Sequence, residues 1–125
     1  MSELKTAQAY LAEVLPQISE ISAEKLADRL AESANKPDAE QLVLIDVREL
    51  AEYQAGAIKG AKHISRGTLE MNIHSYLSEI GKLSAEQEII LYCRSGGRSA
   101  LAALSLQMMG FTNVYSLAGG FARYI

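Results

Sequence analysis

At 125 residues, 49% hydrophobic and 22% charged, the chain has the size and balance of one globular domain with a proper core, and is too short for two. A net charge of −3 without a lysine or arginine cluster leaves no footprint for nucleic acid, and no apolar run approaches the ~20 residues of a membrane span. One cysteine excludes an internal disulfide, and two widely spaced histidines with no second cysteine do not make a structural zinc site.

The opening stretch, MSELKTAQAYLAEVL, mixes charges into its apolar positions and lacks the uninterrupted core of a signal peptide, so a cytoplasmic protein is expected. Leu4, Ala7, Leu11, Val14 and Ile18 recur at three- and four-residue spacing, predicting an amphipathic N-terminal helix within residues 1–18 that Pro16 ends or kinks. Its stripe is expected to dock on the domain itself, as most amphipathic helices do, with a second subunit as the alternative. A second helix is predicted over Ala23–Ala34 behind the N-cap Ser22. LVLID (42–46) reads as a strand buried on both faces, ELAEYQ (49–54) as a short helix, and Lys62–Ile64 as a short strand. Residues 66–83 read as irregular or weakly helical. EIILY (88–92) is the second clear buried strand, followed by a glycine turn and a helix over Arg98–Met109; NVYSL (113–117) is a last strand before a GGFARYI turn and helical stub. Strands alternating with helices predict a parallel sheet covered on both faces.

The chemistry concentrates in CRSGGRS. Cys93 follows the strand EIILY immediately, which places it at the carboxyl edge of the sheet, where such folds bind ligands. The next helix starts beyond the loop, so CRSGG lies over a helix N-terminus whose amides lack intrahelical partners. Gly96 and Gly97 permit backbone conformations that turn successive N–H groups inward around the sulfur. Arg98 is expected to close the loop, its fork holding loop carbonyls or an incoming oxyanion, and Arg94 to supply a cationic rim. Lowering the thiol pKa does not by itself explain such a cradle. A fall from ~8.5 to ~6.5 raises the thiolate fraction at neutral pH about 25-fold. Weaker nucleophilicity returns roughly eight-fold of that. Donors aimed at a charged atom carried by the cysteine do more, which points to covalent group transfer.

These residues resemble the rhodanese family of sulfurtransferases over about Ile21 to Tyr124. CRSGGRS resembles the family's six-residue active-site loop, LIDVRELAEYQAGAIKGA its upstream signature, and LQMMGFTNVYSLAGGFARY its closing signature; ISRGTLE is similar to a segment of small single-domain members. Ala57, Ser65 and Tyr124 depart from the residues usual at their positions, all outside the loop. The resemblance implies a three-layer α/β/α rhodanese-like fold with a mainly parallel sheet of about five strands. An N-terminal helix would occupy residues 1–18 and a single rhodanese-like domain residues 19–125. It further implies that Cys93 takes the outer sulfur of a donor such as thiosulfate as a persulfide. The loop residues Arg94, Ser95, Gly96, Gly97 and Arg98 would hold it, and cyanide, a cellular thiol or a thiol protein would remove it, with no metal or organic cofactor. Arg66 is expected at the rim, paired with Glu70. Asp46, Arg48 and Ser99 are expected to order the strand end and the loop, and His63 and His74 to be structural or exposed.

Two other readings stay open. A persulfide carrier or sulfide-binding regulatory module needs the same loop. A cysteine phosphatase or arsenate reductase also cradles an oxyanion beside a cysteine and an arginine, but with five intervening residues. Here four residues separate Cys93 from Arg98, a smaller ring that suits one sulfur better than a tetrahedral phosphate.

Overall fold

Apolar residues alternate across the central strands, and that period-two pattern sets the layers of the molecule. The structure, a computed structural model, describes residues 3–125; the first two residues of the predicted N-terminal segment lie outside them. Helix α1 (Ala7–Val14) opens where the Thr6 side chain accepts from the Ala9 amide at 3.0 Å. It is shorter than the predicted span, because Pro16 sits in a 3-10 turn, Leu15–Gln17, that leads into strand β1 (Ser19–Ile21). Helix α2 (Ala23–Ala34) starts at Ser22, whose hydroxyl accepts from the Lys25 amide, as the sequence predicts. Then follow β2 (Val43–Asp46), α3 (Leu50–Gln54), β3 (Lys62–His63), α4 (Leu69–Glu79), β4 (Ile89–Tyr92), α5 (Gly97–Met108), β5 (Val114–Leu117) and α6 (Gly120–Tyr124). No described helix is long and apolar enough to cross a membrane.

The five strands form one parallel sheet in the order β1-β5-β4-β2-β3. Val43, Ile45 and Val47 alternate with Leu44, and Ile89, Leu91 and Cys93 alternate with Ile90 and Tyr92. The first set packs under α4 and α5 through Leu69, Ile73, Leu77, Ala102, Ala103 and Leu106. The second packs against Leu26 and Leu30 of α2 and Phe121 and Tyr124 of α6. A sheet buried on both faces between helices is the three-layer α/β/α arrangement expected.

Two elements depart from the sequence reading. Residues 69–79 form a regular helix where the sequence reads as irregular or weakly helical. Leu69, Ile73 and Leu77 recur every fourth residue on its buried line, but Asn72, His74, Ser75 and Ser78 weaken its local propensity. Strand β1 has no counterpart in the reading, since it is three residues long and buries only Ile21.

Topology places the site. From β2 the chain runs outward to β3, and from β4 it runs the other way to β5. The connection therefore reverses between neighbouring β2 and β4, and a crevice opens above their carboxyl ends. The Val47 amide bonds the Tyr92 carbonyl there at 2.9 Å, and Cys93 is the next residue.

The N-terminal stripe docks on its own domain. Helix α1 packs against α5, with Val14 buried and Leu11 half-buried, while Leu4 is fully exposed. Val14→Ala is therefore expected to lower unfolding free energy by about 1–3 kcal/mol in urea titrations, from lost apolar burial and the void left behind. Leu4→Ala should fall within about 0.5 kcal/mol of the parent.

Candidate active site

The loop from Cys93 to Arg98 is shaped by what lies outside it. Gly119 and Gly120 both have positive φ, +76° and +64°. A Cβ on Gly120 would lie 2.5 Å from the backbone carbon and oxygen of Arg94 and 2.6 Å from the Cys93 carbonyl oxygen, so no side chain fits. That close approach lets the first amides of α6 reach the loop: Phe121 N–H donates to the Cys93 carbonyl at 2.8 Å and Ala122 N–H to the Arg94 carbonyl at 3.0 Å. With two carbonyls held outward and Gly96 at φ +107°, amides of the loop turn inward.

They converge on the sulfur. Sγ of Cys93 accepts from the Gly96 amide at 3.1 Å and the Ser99 amide at 3.4 Å, and the Ser99 hydroxyl lies 3.5 Å away. Burial pushes the thiol up, but the Ser99 hydroxyl and the amides of Ser99, Gly96 and Ser95 pull it down and prevail, leaving it below its ordinary value. Gly97 and Arg98, in the first turn of α5, have amides with no acceptor among the described residues.

Arg98 does not do what its position suggests. Its fork is filled by Glu52 of α3, with Nη1 donating to Oε1 at 2.7 Å and Nη2 to Oε2 at 3.1 Å, and it holds no loop carbonyl. The two outermost carbonyls are already bonded to α6, so the guanidinium is free to turn to the nearest carboxylate. Glu52 in turn sits at the third position of α3, where its carboxylate also accepts from the Glu49 amide. Hydrogen bonds from Arg98 outweigh burial and hold the Glu52 carboxyl at about 2. Arg94 is exposed beside the loop. Arg66 pairs with Glu70, Nη1 to Oε2 at 2.8 Å, and its Nη2 reaches Ser105 on the flank of α5, so none of its contacts is with the loop.

Asp46 and Arg48 are buried and bonded to one another. Arg48 Nη2 donates to Asp46 Oδ2 at 2.8 Å and to the Gly56 carbonyl at 2.6 Å. The guanidinium lies 4.4 Å from the Phe121 ring centroid and 5.6 Å from that of Tyr92. The pair thus braces the residue whose amide holds the Cys93 carbonyl, and does not face the sulfur. His63 bonds the Arg48 carbonyl through Nε2 and stacks on Tyr53; His74 is exposed.

Sequence reasoning passed over Glu52 and Ser116. Glu52 lies 46 residues from Arg98, and nothing in the spacing joins them. Ser116 did leave a trace. It follows Val114 on the face of β5 that packs under α5, one polar residue at a core position.

Fold and site together define a doubly wound α/β domain with a thiol held among inward-facing amides at its switch point. Residues 22–125 match the rhodanese-like domain, and the chain belongs to the rhodanese family. A sulfurtransferase from Allochromatium vinosum is 32% identical over 82% of this chain and 84% of its own. The thiosulfate sulfurtransferase GlpE of Pseudoalteromonas translucida is 35% identical over 76% of this chain and 84% of its own. A Rhodopseudomonas palustris structure, described as of unknown function and a possible tyrosine phosphatase, superposes with TM-score 0.80 at 27% identity. It covers 99% of this chain and 92% of that one. Family membership carries sulfurtransferase as the class; α1 lies before the matched residues.

The ion pair gives a pH test with a defined sign. Glu52 is held at about 2 against an ordinary 4.5, so its pairing stabilises the fold above pH 4.5 and the benefit fades as pH falls toward 2. Glu52→Gln is expected to unfold at lower urea than the parent at pH 7, and the gap should narrow steadily below pH 4.5.

Proposed function

We propose that Cys93 carries sulfane sulfur as a persulfide between a donor such as thiosulfate and a thiophilic acceptor, cyanide or a thiol. The observation that carries this reading is the ring of donors around one buried thiol, with Gly96 N at 3.1 Å and Ser99 N at 3.4 Å from Sγ. In the first half-reaction the Cys93 thiolate attacks the outer sulfur of thiosulfate. The Sγ–sulfur bond forms, the sulfur–sulfur bond of the donor breaks, and sulfite leaves with its electron pair. The negative charge then rests on the terminal sulfur, for which the unpaired amides of Gly97 and Arg98 would serve as donors. In the second, cyanide or a thiolate attacks that terminal sulfur and Sγ departs as thiolate. The products are thiocyanate or an acceptor persulfide, and no outside oxidant or reductant is needed.

The phosphatase reading attached to the Rhodopseudomonas palustris structure fares worse on two counts. Only four residues separate Cys93 from Arg98. The fork that would grip a tetrahedral oxyanion is occupied by Glu52 at 2.7 and 3.1 Å. Turnover distinguishes an enzyme from a persulfide carrier, which would load sulfur and hold it.

Two measurements test the proposal. Intact mass is expected to rise by one sulfur atom on exposure to thiosulfate and return to its starting value on adding cyanide. Cys93→Ser should fold yet show neither change nor any thiosulfate:cyanide turnover, and activity surviving in it rejects the persulfide. Separately, one glycine inserted after Gly96 should widen the ring. If each lost donor costs about 1–3 kcal/mol, sulfur transfer falls roughly ten-fold or more while phosphate or arsenate binds better. Hydrolysis of p-nitrophenyl phosphate by the parent protein would favour the phosphatase.

A further inference from the structure

Beside the sulfur, in addition to the amides that bond it, lie two buried hydroxyls. Ser99 Oγ sits 3.5 Å from Sγ, 3.3 Å from the Gly96 carbonyl oxygen and 2.8 Å from Ser116 Oγ. Both serines have 0% exposure, so neither hydroxyl can turn to water. Among the described residues, Ser99 is the one hydrogen-bond partner of the Ser116 side chain.

Counting protons fixes the direction of this chain. Each serine has a single proton to donate. If Ser99 gave its proton to Ser116, the Ser116 proton would be buried without an acceptor, which costs roughly 1–3 kcal/mol. The arrangement that satisfies both has Ser116 donating to Ser99, leaving the Ser99 proton for Sγ or the Gly96 carbonyl. That carbonyl already accepts from the Ala100 amide at 3.1 Å, so a thiolate is the stronger claimant. Donation from Ser116 also polarises the Ser99 hydroxyl and strengthens its bond to the sulfur.

We propose that Ser116 is a positioning residue which, through Ser99, directs a hydroxyl proton at Sγ and stabilises the Cys93 thiolate. The proposal deepens the persulfide reading, because it separates two tasks. In the persulfide the charge is on the terminal sulfur, within the province of the unpaired Gly97 and Arg98 amides. At the start of the cycle and at its end the charge is on Sγ, where the serine pair acts alongside the Gly96 and Ser99 amides. The pair therefore assists Sγ as a leaving group when an acceptor strips the terminal sulfur, and does nothing to speed loading once the thiol is fully ionised.

The charged groups around Cys93 are largely engaged with partners of their own. Arg98 of α5 is paired with Glu52 of α3, Arg48 with Asp46 beyond β2, and Arg66 with Glu70 beside α5; Arg94 of the loop is exposed. Arg123 of α6 lies exposed toward Glu24. Of the histidines, His63 bonds the Arg48 carbonyl and His74 faces solvent. Tyr92, whose hydroxyl burial pushes up, holds the Ile58 amide.

The experiment compares Ser116→Val with Ser116→Thr, side chains of similar shape that differ in the hydroxyl, with Ser116→Ala as the smaller variant should both crowd the core. The pH dependence of Cys93 alkylation by iodoacetamide is expected to move its midpoint up by about 0.5 in the Val and Ala variants, and to stay near the parent in Thr. Ser99→Ala should move it further, and adding Ser116→Ala to Ser99→Ala should add nothing, since Ser116 acts through Ser99. In stopped-flow work well above the thiol pKa, discharge of preformed persulfide by cyanide should slow about two- to five-fold in Ser116→Val, with loading by thiosulfate undiminished. An unchanged midpoint in folded Ser116→Val or Ser116→Ala, or shifts that add in the double variant, overturns the proposal. Alkylation needs no sulfur transfer, so a protein that never loads sulfur defeats the persulfide reading while leaving the test of Ser116 intact.

Discussion

The site depends on one close approach of backbone to backbone. Gly120 leaves no space for a Cβ beside the carbonyls of Cys93 and Arg94, and the amides of Phe121 and Ala122 hold those carbonyls outward. A peptide whose oxygen is fixed on one side presents its N–H on the other. The direction of the loop donors thus comes from a helix start elsewhere in the chain, and the guanidinium of Arg98, bonded to Glu52, has no part in it. Arg48, buried against Phe121, secures that helix start from below.

Charge is arranged as sparingly as backbone. Each guanidinium around the loop except that of Arg94 is matched to a carboxylate: Arg98 to Glu52, Arg48 to Asp46, Arg66 to Glu70. The sulfur is left to dipoles, from amides at 3.1 and 3.4 Å and a hydroxyl at 3.5 Å. Fixed dipoles in a dry setting stabilise an anion without a counter-ion that would also hold a stray phosphate. The small ring and the occupied fork both suit the proposed cargo, a single sulfur atom.

Much of this was legible in the sequence, for identifiable reasons. Buried strands such as LVLID and EIILY announce themselves by composition, Ser22 by its place before an apolar stripe, and the loop by a cysteine before two glycines. What stayed hidden was either too short, like β1, or dependent on distant partners. Helix α4 carried its apolar line among poor helix formers. The Arg98 fork reads as a grip on loop carbonyls or an oxyanion because sequence shows what a side chain can do, while its actual partner, Glu52, lies far off along the chain. Ser116 was visible as one polar residue in a strand otherwise fit for the core, a discord that structure resolves by placing Ser99 opposite.

Strand β5 lies between β1 and β4, and the turn that shapes the loop follows β5 directly. Until β5 inserts, its neighbours have a gap between them, the outer carbonyls of the loop have no amides to hold them, and Ser99 has no Ser116. Cys93 then sits on a slack tether as an ordinary thiol. The surroundings that lower its pKa are completed in the same event that closes the sheet, a long-range pairing of the kind that forms slowly. A chain folded only as far as β4 therefore carries the cysteine without the donors that surround it, and the titration of the sulfur gauges whether the fold is finished.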